Sequence, residues 1–379
     1  MKPLASAVLV LALFGLRATA AECPADENYV KARAVVQDLQ RIVTPDGIQE
    51  TYTASIGGIP QWINVRGEHK ANPVLLFVHG GPSSPSMPSL WQFQRPIEEF
   101  FTVVHYDQRG AGKTYLASDP EAVAGTLNID RFVDDAIEVA DHVRQRYGKD
   151  KVVLVGHSWG TVVGMKAALK RPDLFHAYVG MGQVISSRVN EEVSFRYGLE
   201  QARRHGNQAA VAEMEAIAPY PGDQPLTRDR IIVARKWPQH YGGLNAYRQA
   251  DQDYYYGASR LSPEYDCNDR KAFFDGSLFT LDRVLEELKQ VDLRPVREFP
   301  IPVVMFLGRH DYTTPSEPTA AWLEQVKAPY KRAVWFEHAA HMIPWEEPGQ
   351  TLISLVTHVR PLATGARESG RAAPSSGGQ

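Results

Sequence analysis

A pentapeptide of the form Gly-x-Ser-x-Gly at residues 156–160 constrains the fold of this chain more than any other feature. The residues just before it, 152–155, are apolar and mostly β-branched, which is typical of a buried parallel strand. Residues 161–170 follow with a mostly apolar, helical pattern. A serine between such a strand and such a helix predicts a nucleophile elbow, a strained turn that projects the serine oxygen above a sheet. The alternative interpretation is an ordinary strand-to-helix turn that contains a small residue.

The surrounding chain alternates strand and helix patterns. Apolar strands are predicted at residues 74–78, 101–105 and 177–181, and apolar residues at helical spacing occupy 129–143. Upstream, two alternating segments flank the glycine pair at 57–58, which is a hairpin signature. This order predicts an α/β fold, with a mostly parallel sheet and flanking crossover helices.

The alternation of strands stops between residues 183 and 294, where the patterns are mainly helical. Strand patterns resume at residues 303–307 and 333–336. A helical insertion between sheet strands predicts a cap over the carboxyl edge of the sheet, with a substrate pocket beneath it. The predicted boundaries are residues 21–182 for the first part of the core, 183–294 for the helical cap, and 295–361 for the second part of the core.

Both ends of the chain have compositions that differ from the predicted core. Lys2, the apolar residues 4–16 and the small-residue pattern at 18–20 are typical of a cleaved secretory signal peptide, assigned to residues 1–20. A membrane anchor and a buried N-terminal helix are the alternatives. Export implies a secreted or periplasmic protein, without membrane contact after signal cleavage. Residues 362–379 are rich in Gly, Ser, Ala and Arg without apolar periodicity, which predicts a disordered tail.

Composition and charge exclude several classes of function. The net charge of −3 gives no electrostatic basis for binding nucleic acid. The two cysteines, Cys23 and Cys267, are too few for a structural zinc site. In an oxidising compartment they form a disulfide or remain two unrelated thiols, and the sequence leaves both possibilities open. The sequence also gives no indication of the oligomeric state.

Ser158 is a weak nucleophile unless a base, oriented by a carboxylate, removes its proton. In the chain order Ser, acid, His, the candidate acid is Asp311, which follows the strand at 303–307 and therefore lies at the same sheet edge. The loop after the last strand offers two candidate bases, His338 and His341. Of these, His341 is further from the strand end and closer to a predicted closing helix.

A developing oxyanion needs two hydrogen-bond donors. The first candidate is the N–H of Trp159, the residue after the serine. The second is the N–H of Gly81 or Gly80, in the turn after the strand at 74–78, where glycine lets the backbone approach a carbonyl closely. The alternative for this turn is a plain glycine–proline loop.

Four other polar residues near the strand ends are interpreted as structural. His157 is expected to pack under the elbow, and His310 to have a structural or surface role beside the candidate acid. Asp107 and Arg109 follow the strand at 101–105 and are interpreted as groups that fix the loop. A catalytic role for Asp107 or Arg109 is the alternative.

Five sequence motifs together carry a family resemblance. They are His-Gly-Gly-Pro at 79–82, Tyr-Asp-Gln-Arg-Gly-Ala-Gly-Lys at 106–113, Gly-His-Ser-Trp-Gly at 156–160, Gly-Arg-His-Asp at 308–311, and His341 before Pro344 and Glu-Glu-Pro at 346–348. Over residues 48–359 the chain resembles the prolyl aminopeptidase (proline iminopeptidase) family of α/β-hydrolases. The resemblance implies an α/β-hydrolase fold with an inserted helical cap. It also implies Ser158 as nucleophile, Asp311 as acid and His341 as base.

Two departures from the family pattern concern the substrate site. Ser83 stands after the His-Gly-Gly-Pro motif, where the family usually has glycine. In the family, carboxylates of the cap hold the amino group of the substrate, but the cap here matches poorly. The candidate counterparts are Glu191 and Glu192, with Glu200, Asp251 and Asp253 as further possibilities, and each is also explained as a solvated charge on a helix.

The resemblance implies a serine hydrolase that forms an acyl-enzyme and releases N-terminal residues, such as proline, from small peptides. Such acyl transfer requires no metal or organic cofactor. The first alternative is an exported carboxylesterase, lactonase or amidase that acts on a small molecule with the same three residues. The second is a catalytically silent binding protein on this fold. An epoxide or haloalkane hydrolase is disfavoured, because those lineages have aspartate where Ser158 stands.

Overall fold

The computed structural model describes residues 27–224, 226–248, 255 and 257–365. The predicted signal peptide at 1–20, Cys23 with its proposed pairing to Cys267, and the cap residues Asp251 and Asp253 lie outside the described residues. Most of the predicted tail lies outside them too. Its predicted start at residue 362 is too early, because a helix continues to Thr364.

The described residues form eight strands in a single sheet. The strands are β1 (Ile48–Ile56), β2 (Ile59–Gly67), β3 (Val74–Val78), β4 (Thr102–Tyr106), β5 (Val152–His157), β6 (Phe175–Met181), β7 (Val303–Gly308) and β8 (Lys331–Phe336). Their order across the sheet is β1-β2-β4-β3-β5-β6-β7-β8. The strands from β3 to β8 all run parallel, whereas β2 pairs antiparallel with both β1 and β4. The predicted mostly parallel sheet is therefore confirmed.

The helices of the described residues surround this sheet and form the insertion between β6 and β7. They are α1 (Glu27–Leu39), α2 (Gly112–Leu116), α3 (Pro120–Ala124), α4 (Ile129–Arg146), α5 (Trp159–Lys170), α6 (Ser187–Arg204), α7 (Gln208–Ala216), α8 (Arg228–Pro238), α9 (Cys267–Lys289), α10 (Ser316–Gln325), α11 (Ile343–Glu346), α12 (Pro348–Ser354) and α13 (Arg360–Thr364). Short 3₁₀ or π turns occupy Met87–Gln92, Ile97–Glu99, Pro172–Leu174, Gln239–Gly243, Gly257–Leu261 and Leu355–Val359.

Local sequence signals account for the elements that lead into the site. In β5 every residue is buried, because helices cover both faces of a parallel sheet. The side chain of Asn128 accepts the N–H of Arg131 and so caps α4. Gly57 and Gly58 both adopt positive φ (56° and 79°), which suits the tight turn between β1 and β2. These elements were all predicted from the sequence pattern.

The insertion between β6 and β7 contains helices α6 to α9 and has an apolar cluster of its own. Phe195, Met214 and Trp237 are buried in this cluster. Hydrogen bonds join the insertion to the loop that follows β7: Asn190 Nδ2 donates to the Thr313 carbonyl (3.0 Å). These contacts place the helices over the carboxyl edge of the sheet, where a cap was expected. None of the helices that the structure describes has the length and apolar character needed to cross a bilayer.

Among the residues that the structure describes, Arg109 is the largest fully buried side chain, and it forms an ion pair with the equally buried Asp135. Its Nε lies 3.0 Å from Asp135 Oδ2, and its Nη1 and Nη2 also donate to Thr126 Oγ1 and the Gly57 carbonyl. The guanidinium thus ties the loop after β4 to α4 and to the first hairpin. This arrangement agrees with the interpretation of Arg109 as a group that fixes the loop.

We expect Arg109→Met to lower the free energy of unfolding by about 3 kcal/mol, because the buried Asp135 carboxylate loses its buried cation and is left with the partly exposed Arg131 and the neutral Gln61. The control is Arg171→Ala, which removes an exposed ion pair with Asp173 and should leave stability nearly unchanged. Urea unfolding followed by circular dichroism measures both. A loss for Arg109→Met no larger than that of the control would contradict the structural role.

Candidate active site

Ser158 lies at the junction between β5 and α5 with an unusual backbone conformation. Its φ and ψ are 55° and −124°, a region that residues with a side chain rarely adopt. The main chain around it is held on both sides: its N–H donates to the Met181 carbonyl (3.0 Å), and its carbonyl accepts the N–H of Thr161 (2.8 Å). Residues 156–160 therefore form the strained strand–turn–helix elbow that the pentapeptide predicts.

The two glycines of the elbow are required by close backbone contacts. A Cβ added to Gly160 would lie 2.1 Å from the carbonyl oxygen of Val78, at the end of β3. A Cβ added to Gly156 would lie 2.6 Å from the carbonyl oxygen of Gly160. Any side chain at either position would thus push α5 away from β3 and β5.

Asp311 and His341 come together at the carboxyl edge of the sheet. His341 Nδ1 lies 2.9 Å from Asp311 Oδ2, and both side chains are buried. The other carboxylate oxygen, Oδ1, accepts the N–H groups of Thr313 (2.9 Å) and Thr314 (2.8 Å). Because Nδ1 faces the carboxylate, Nε2 is the imidazole nitrogen left for proton transfer.

Ser158 and His341 line the same cavity between the cap and the sheet, whose volume is about 510 Å³. Its walls combine glycines and polar groups near the elbow with apolar side chains from the cap, among them Leu226, Ile232 and Leu281. A concave, largely apolar site with a few convergent polar groups is typical of a small-molecule pocket.

The other histidines are not paired with the candidate acid. His338 is exposed, and its main-chain N–H donates to Glu347 Oε2 (3.0 Å). His310 Nε2 lies 2.8 Å from the hydroxyl of Tyr247. His157 is buried under the elbow, where its Nε2 donates to the His341 carbonyl (3.0 Å). Burial, together with the nearby His341, lowers the pKa of His157 to about 3, so it remains neutral.

The candidate oxyanion donors Gly80, Gly81 and Trp159 all line the cavity. A Cβ added to Gly80 would lie only 3.1 Å from Ser158 Cβ, so the glycine turn directly adjoins the elbow. Within the described part of the chain, the N–H groups of Gly81 and Trp159 donate to no protein acceptor. The geometry thus brings the turn and the elbow together, as an oxyanion site requires.

Gln108 fixes the glycine turn against the elbow. Its Nε2 donates to the His79 carbonyl (2.7 Å), and its Oε1 accepts the indole N–H of Trp159 (3.1 Å). Its own N–H donates to His79 Nε2 (3.1 Å), and burial lowers the pKa of His79 to about 4, which keeps that nitrogen an acceptor. Through Gln108, the Asp-Gln-Arg-Gly motif therefore supports the site by holding the glycine turn against the elbow.

Asp107 and Ser83 also stabilise the loops beneath the cavity by hydrogen bonds. Asp107 Oδ2 accepts the N–H of Lys113 (2.7 Å) and the hydroxyl of Tyr265, and burial raises the Asp107 pKa to about 7. Ser83 has a φ of 52°, a conformation that glycine adopts more easily. Its hydroxyl donates to the Arg109 carbonyl (2.8 Å), which offsets part of the cost of replacing glycine at this turn.

The structure separates the two candidate carboxylates of the cap. Glu191 is buried, lines the cavity, pairs with Arg235 and accepts the hydroxyl of Tyr220 (2.7 Å). Glu192 is exposed and pairs with Arg188 Nε (2.9 Å). One residue along a helix turns the side chain by about 100°. Glu192 therefore lies outside the cavity wall, as does the exposed Glu200 on the same helix, so the structure favours Glu191 and a substrate contact of Glu192 stays a prediction.

Thr314 and Arg235 are among the polar residues of the cavity wall that sequence reasoning missed. Thr314 Oγ1 lies 3.0 Å from both Asp311 Oδ2 and His341 Nδ1, so it braces the acid and the base together. Arg235 reaches from α8 to Glu191 and to the Thr313 carbonyl. The threonines after Asp311 are typical of a turn that closes on an aspartate, a signal that could have indicated Thr314. No local pattern indicates Arg235.

The chain matches the model of the alpha/beta hydrolase family over residues 75–354. Among curated proteins it is 28% identical over 308 residues to the probable aminopeptidase YbaC of Bacillus subtilis, covering 81% of this chain and 95% of that protein. It is 23% identical over 294 residues to the proline iminopeptidase of Saccharolobus solfataricus, covering 74% and 83%. The solved structure of a proline iminopeptidase of Mycobacterium smegmatis superposes with a TM-score of 0.58 at 19% identity, covering 84% of this chain and 100% of that one.

These similarities confirm the predicted fold and the resemblance drawn from the motifs. The family match spans the sheet from β3 to β8 and includes the cap. At 19% identity the structural likeness shows the fold alone. Which bond the site cleaves depends on the cavity and its charges.

We expect Gly160→Ala to destabilise the fold by about 3 kcal/mol, because the added methyl group overlaps the Val78 carbonyl in a packed region. Gly349→Ala is the matched control: Gly349 lies in α12 with open space around it, and alanine there should stabilise by up to about 1 kcal/mol. Urea unfolding of the two variants gives the comparison. A Gly160→Ala protein as stable as the control would show that the elbow is looser than described.

Proposed function

This chain belongs to the alpha/beta hydrolase family, and from that premise we propose that it is a serine hydrolase which releases N-terminal residues, proline among them, from small peptides. The observation that carries the proposal is the common cavity of Ser158 and His341, with Asp311 Oδ2 2.9 Å from His341 Nδ1. The aminopeptidase names of the similar curated proteins support the choice of substrate.

The proposed reaction is acyl transfer through a covalent intermediate. His341 removes the proton of the Ser158 hydroxyl as the oxygen attacks the substrate carbonyl, and Asp311 stabilises the resulting imidazolium. The N–H groups of Trp159 and Gly81 hold the oxyanion. His341 then protonates the leaving amine, and water, activated in the same way, releases the acyl group from Ser158. The chain's own residues supply every group that these steps require.

Glu191 supports a substrate with a free amino group. A buried carboxylate in the cavity wall would attract an ammonium group strongly, because hydrogen bonds to charged groups are worth about 1.5–3 kcal/mol. The cavity of about 510 Å³ suits a small peptide better than a folded protein.

The second candidate is an esterase, lactonase or amidase that acts on an uncharged small molecule. It is favoured by the ion pair between Arg235 and Glu191, which already neutralises the buried carboxylate. The apolar side chains of the cap wall fit a neutral acyl or alkyl group equally well.

We also propose that the protein is exported and acts outside the cytoplasm. The support is the sequence of residues 1–20, with a basic start, an apolar run and a small-residue cleavage pattern.

We expect a fluorophosphonate probe to label the wild-type protein on Ser158, because an activated serine attacks the probe's phosphorus and displaces fluoride. Ser158→Ala should abolish the labelling, whereas Ser84→Ala, at another serine of the cavity wall, should retain it. Intact mass and peptide mapping identify the labelled residue. A folded wild-type protein that stays unlabelled would favour a silent binding protein.

We expect Glu191→Gln to lower kcat/KM for a proline arylamide by about 10- to 100-fold, because an ionic hydrogen bond to the substrate amine is lost. Turnover of a short-chain aryl ester, which has no amine, should change little. Glu192→Gln is the control, since the neighbouring carboxylate is exposed and outside the cavity wall. Efficient ester turnover without detectable arylamide cleavage would instead support the second candidate.

A further inference from the structure

The cap contributes main-chain groups to both loops that carry the candidate acid and base. We call residues 243–246, which begin at the last residue of the turn after α8, the cap segment. The carbonyl of Gly243 accepts the N–H groups of Tyr312 (3.1 Å) and Thr313 (3.0 Å), directly after the acid. The carbonyl of Leu244 accepts the N–H of His341 itself (3.1 Å). The cap segment therefore bridges two loops that are separated by about 30 residues in sequence.

Glu346 makes a further connection between the cap segment and the loop of His341. It ends α11, five residues after His341. Its Oε1 accepts the N–H of Ala246 in the cap segment (2.5 Å), and its Oε2 accepts the N–H of Ala340, the residue before His341 (2.9 Å). One carboxylate thus holds the cap segment and the histidine loop at the same time.

The surroundings of Glu346 make these two bonds significant. The side chain is partly buried, and this burial, together with the nearby Asp311, raises the Glu346 pKa to about 7. Where Glu346 is ionised, above about pH 7, its hydrogen bonds from the two N–H groups are charge-assisted and therefore stronger than neutral ones. An imidazole misplaced by about 1 Å can cost about 100-fold in rate, so the position of the loop matters as much as its presence.

We propose that Glu346 is a positioning residue for His341, which sets the imidazole by clamping its loop to the cap segment. The proposal rests on the proposed serine-hydrolase function, because His341 is the base only in that reaction. Glu346 itself does not line the cavity and is not a catalytic residue. The cap is then part of the machinery that aligns the acid and the base, in addition to covering the substrate.

The adjacent Glu347, which lies between α11 and α12, provides a matched comparison. Its Oε2 accepts the N–H of His338, three residues before His341, at an exposed part of the loop (3.0 Å). It holds the same loop as Glu346 but makes no hydrogen bond to the cap segment among the described residues. A merely local stabilisation of the loop would make the two glutamates equivalent.

The test compares Glu346→Gln, Glu346→Ala and Glu347→Ala with the wild-type protein. For inactivation by a fluorophosphonate, Glu346→Ala should lower the maximal inactivation rate about 10- to 100-fold with the probe's half-saturation concentration unchanged, because the base is misaligned while the cavity is intact. Glu346→Gln, which keeps one acceptor oxygen and the shape of the side chain, should recover part of the rate. Glu347→Ala should match the wild type, and thermal melting confirms that each variant is folded.

Hydrogen–deuterium exchange tests the clamp without relying on catalysis. The amides of Ala246 and Ala340, measured in peptides that exclude the His338 amide held by Glu347, should exchange faster in Glu346→Ala than in the wild type, and at the wild-type rate in Glu347→Ala. Unchanged exchange at both peptides, or an equal loss of rate in the Glu346→Ala and Glu347→Ala variants, would overturn the proposal. If the wild-type protein is not labelled at all, the proposed function fails, and the exchange experiment still decides whether the clamp exists.

Discussion

The contact between Gly160 and the Val78 carbonyl is the constraint on which the site depends. It lets the first turn of α5 lie against the end of β3, so that the loop after β3 begins directly beside Ser158. The glycine turn at 80–81 can then adjoin the serine, with Gln108 fastened to both sides. Since β7 and β8 run in the same direction as β3 and β5, their following loops meet at this edge, and the candidate acid and base lie next to each other there.

The sequence predicted those parts of the site that follow from strand direction and local geometry. Ser158, Asp311 and the glycine turn each follow a buried strand, and parallel strands bring such positions to one edge. The choice of His341 over His338 depended on the family resemblance, because both histidines lie in one short loop. The sequence could not separate Glu191 from Glu192, since the face of α6 that meets the cavity depends on how the cap docks, and periodicity does not determine docking.

The sequence could not reveal some contacts, because they join segments that are distant along the chain and use main-chain groups. The carbonyls of Gly243 and Leu244 carry no side-chain signature, yet they receive N–H groups from residues 312, 313 and 341. Arg235 also lacks a local sequence signature, because its role comes from contacts with both Glu191 and the Thr313 carbonyl. A charged group bound near Glu191 would therefore also interact with Arg235, whose side chain contacts the loop of the candidate acid.

These bonds bear on how a substrate enters the cavity. If the whole cap moved away from the sheet, the hydrogen bonds between the cap segment and the loops of Asp311 and His341 would break. The hydrogen bond between Asn190 and the Thr313 carbonyl would break too. Each such bond contributes about 0.5–1.5 kcal/mol, and the motion would also release the groups that align the acid and base. The outer wall of the cavity includes the fully exposed Asp223, so the cavity already opens to solvent there. Entry through this opening keeps the alignment intact and restricts substrates to small or extended molecules.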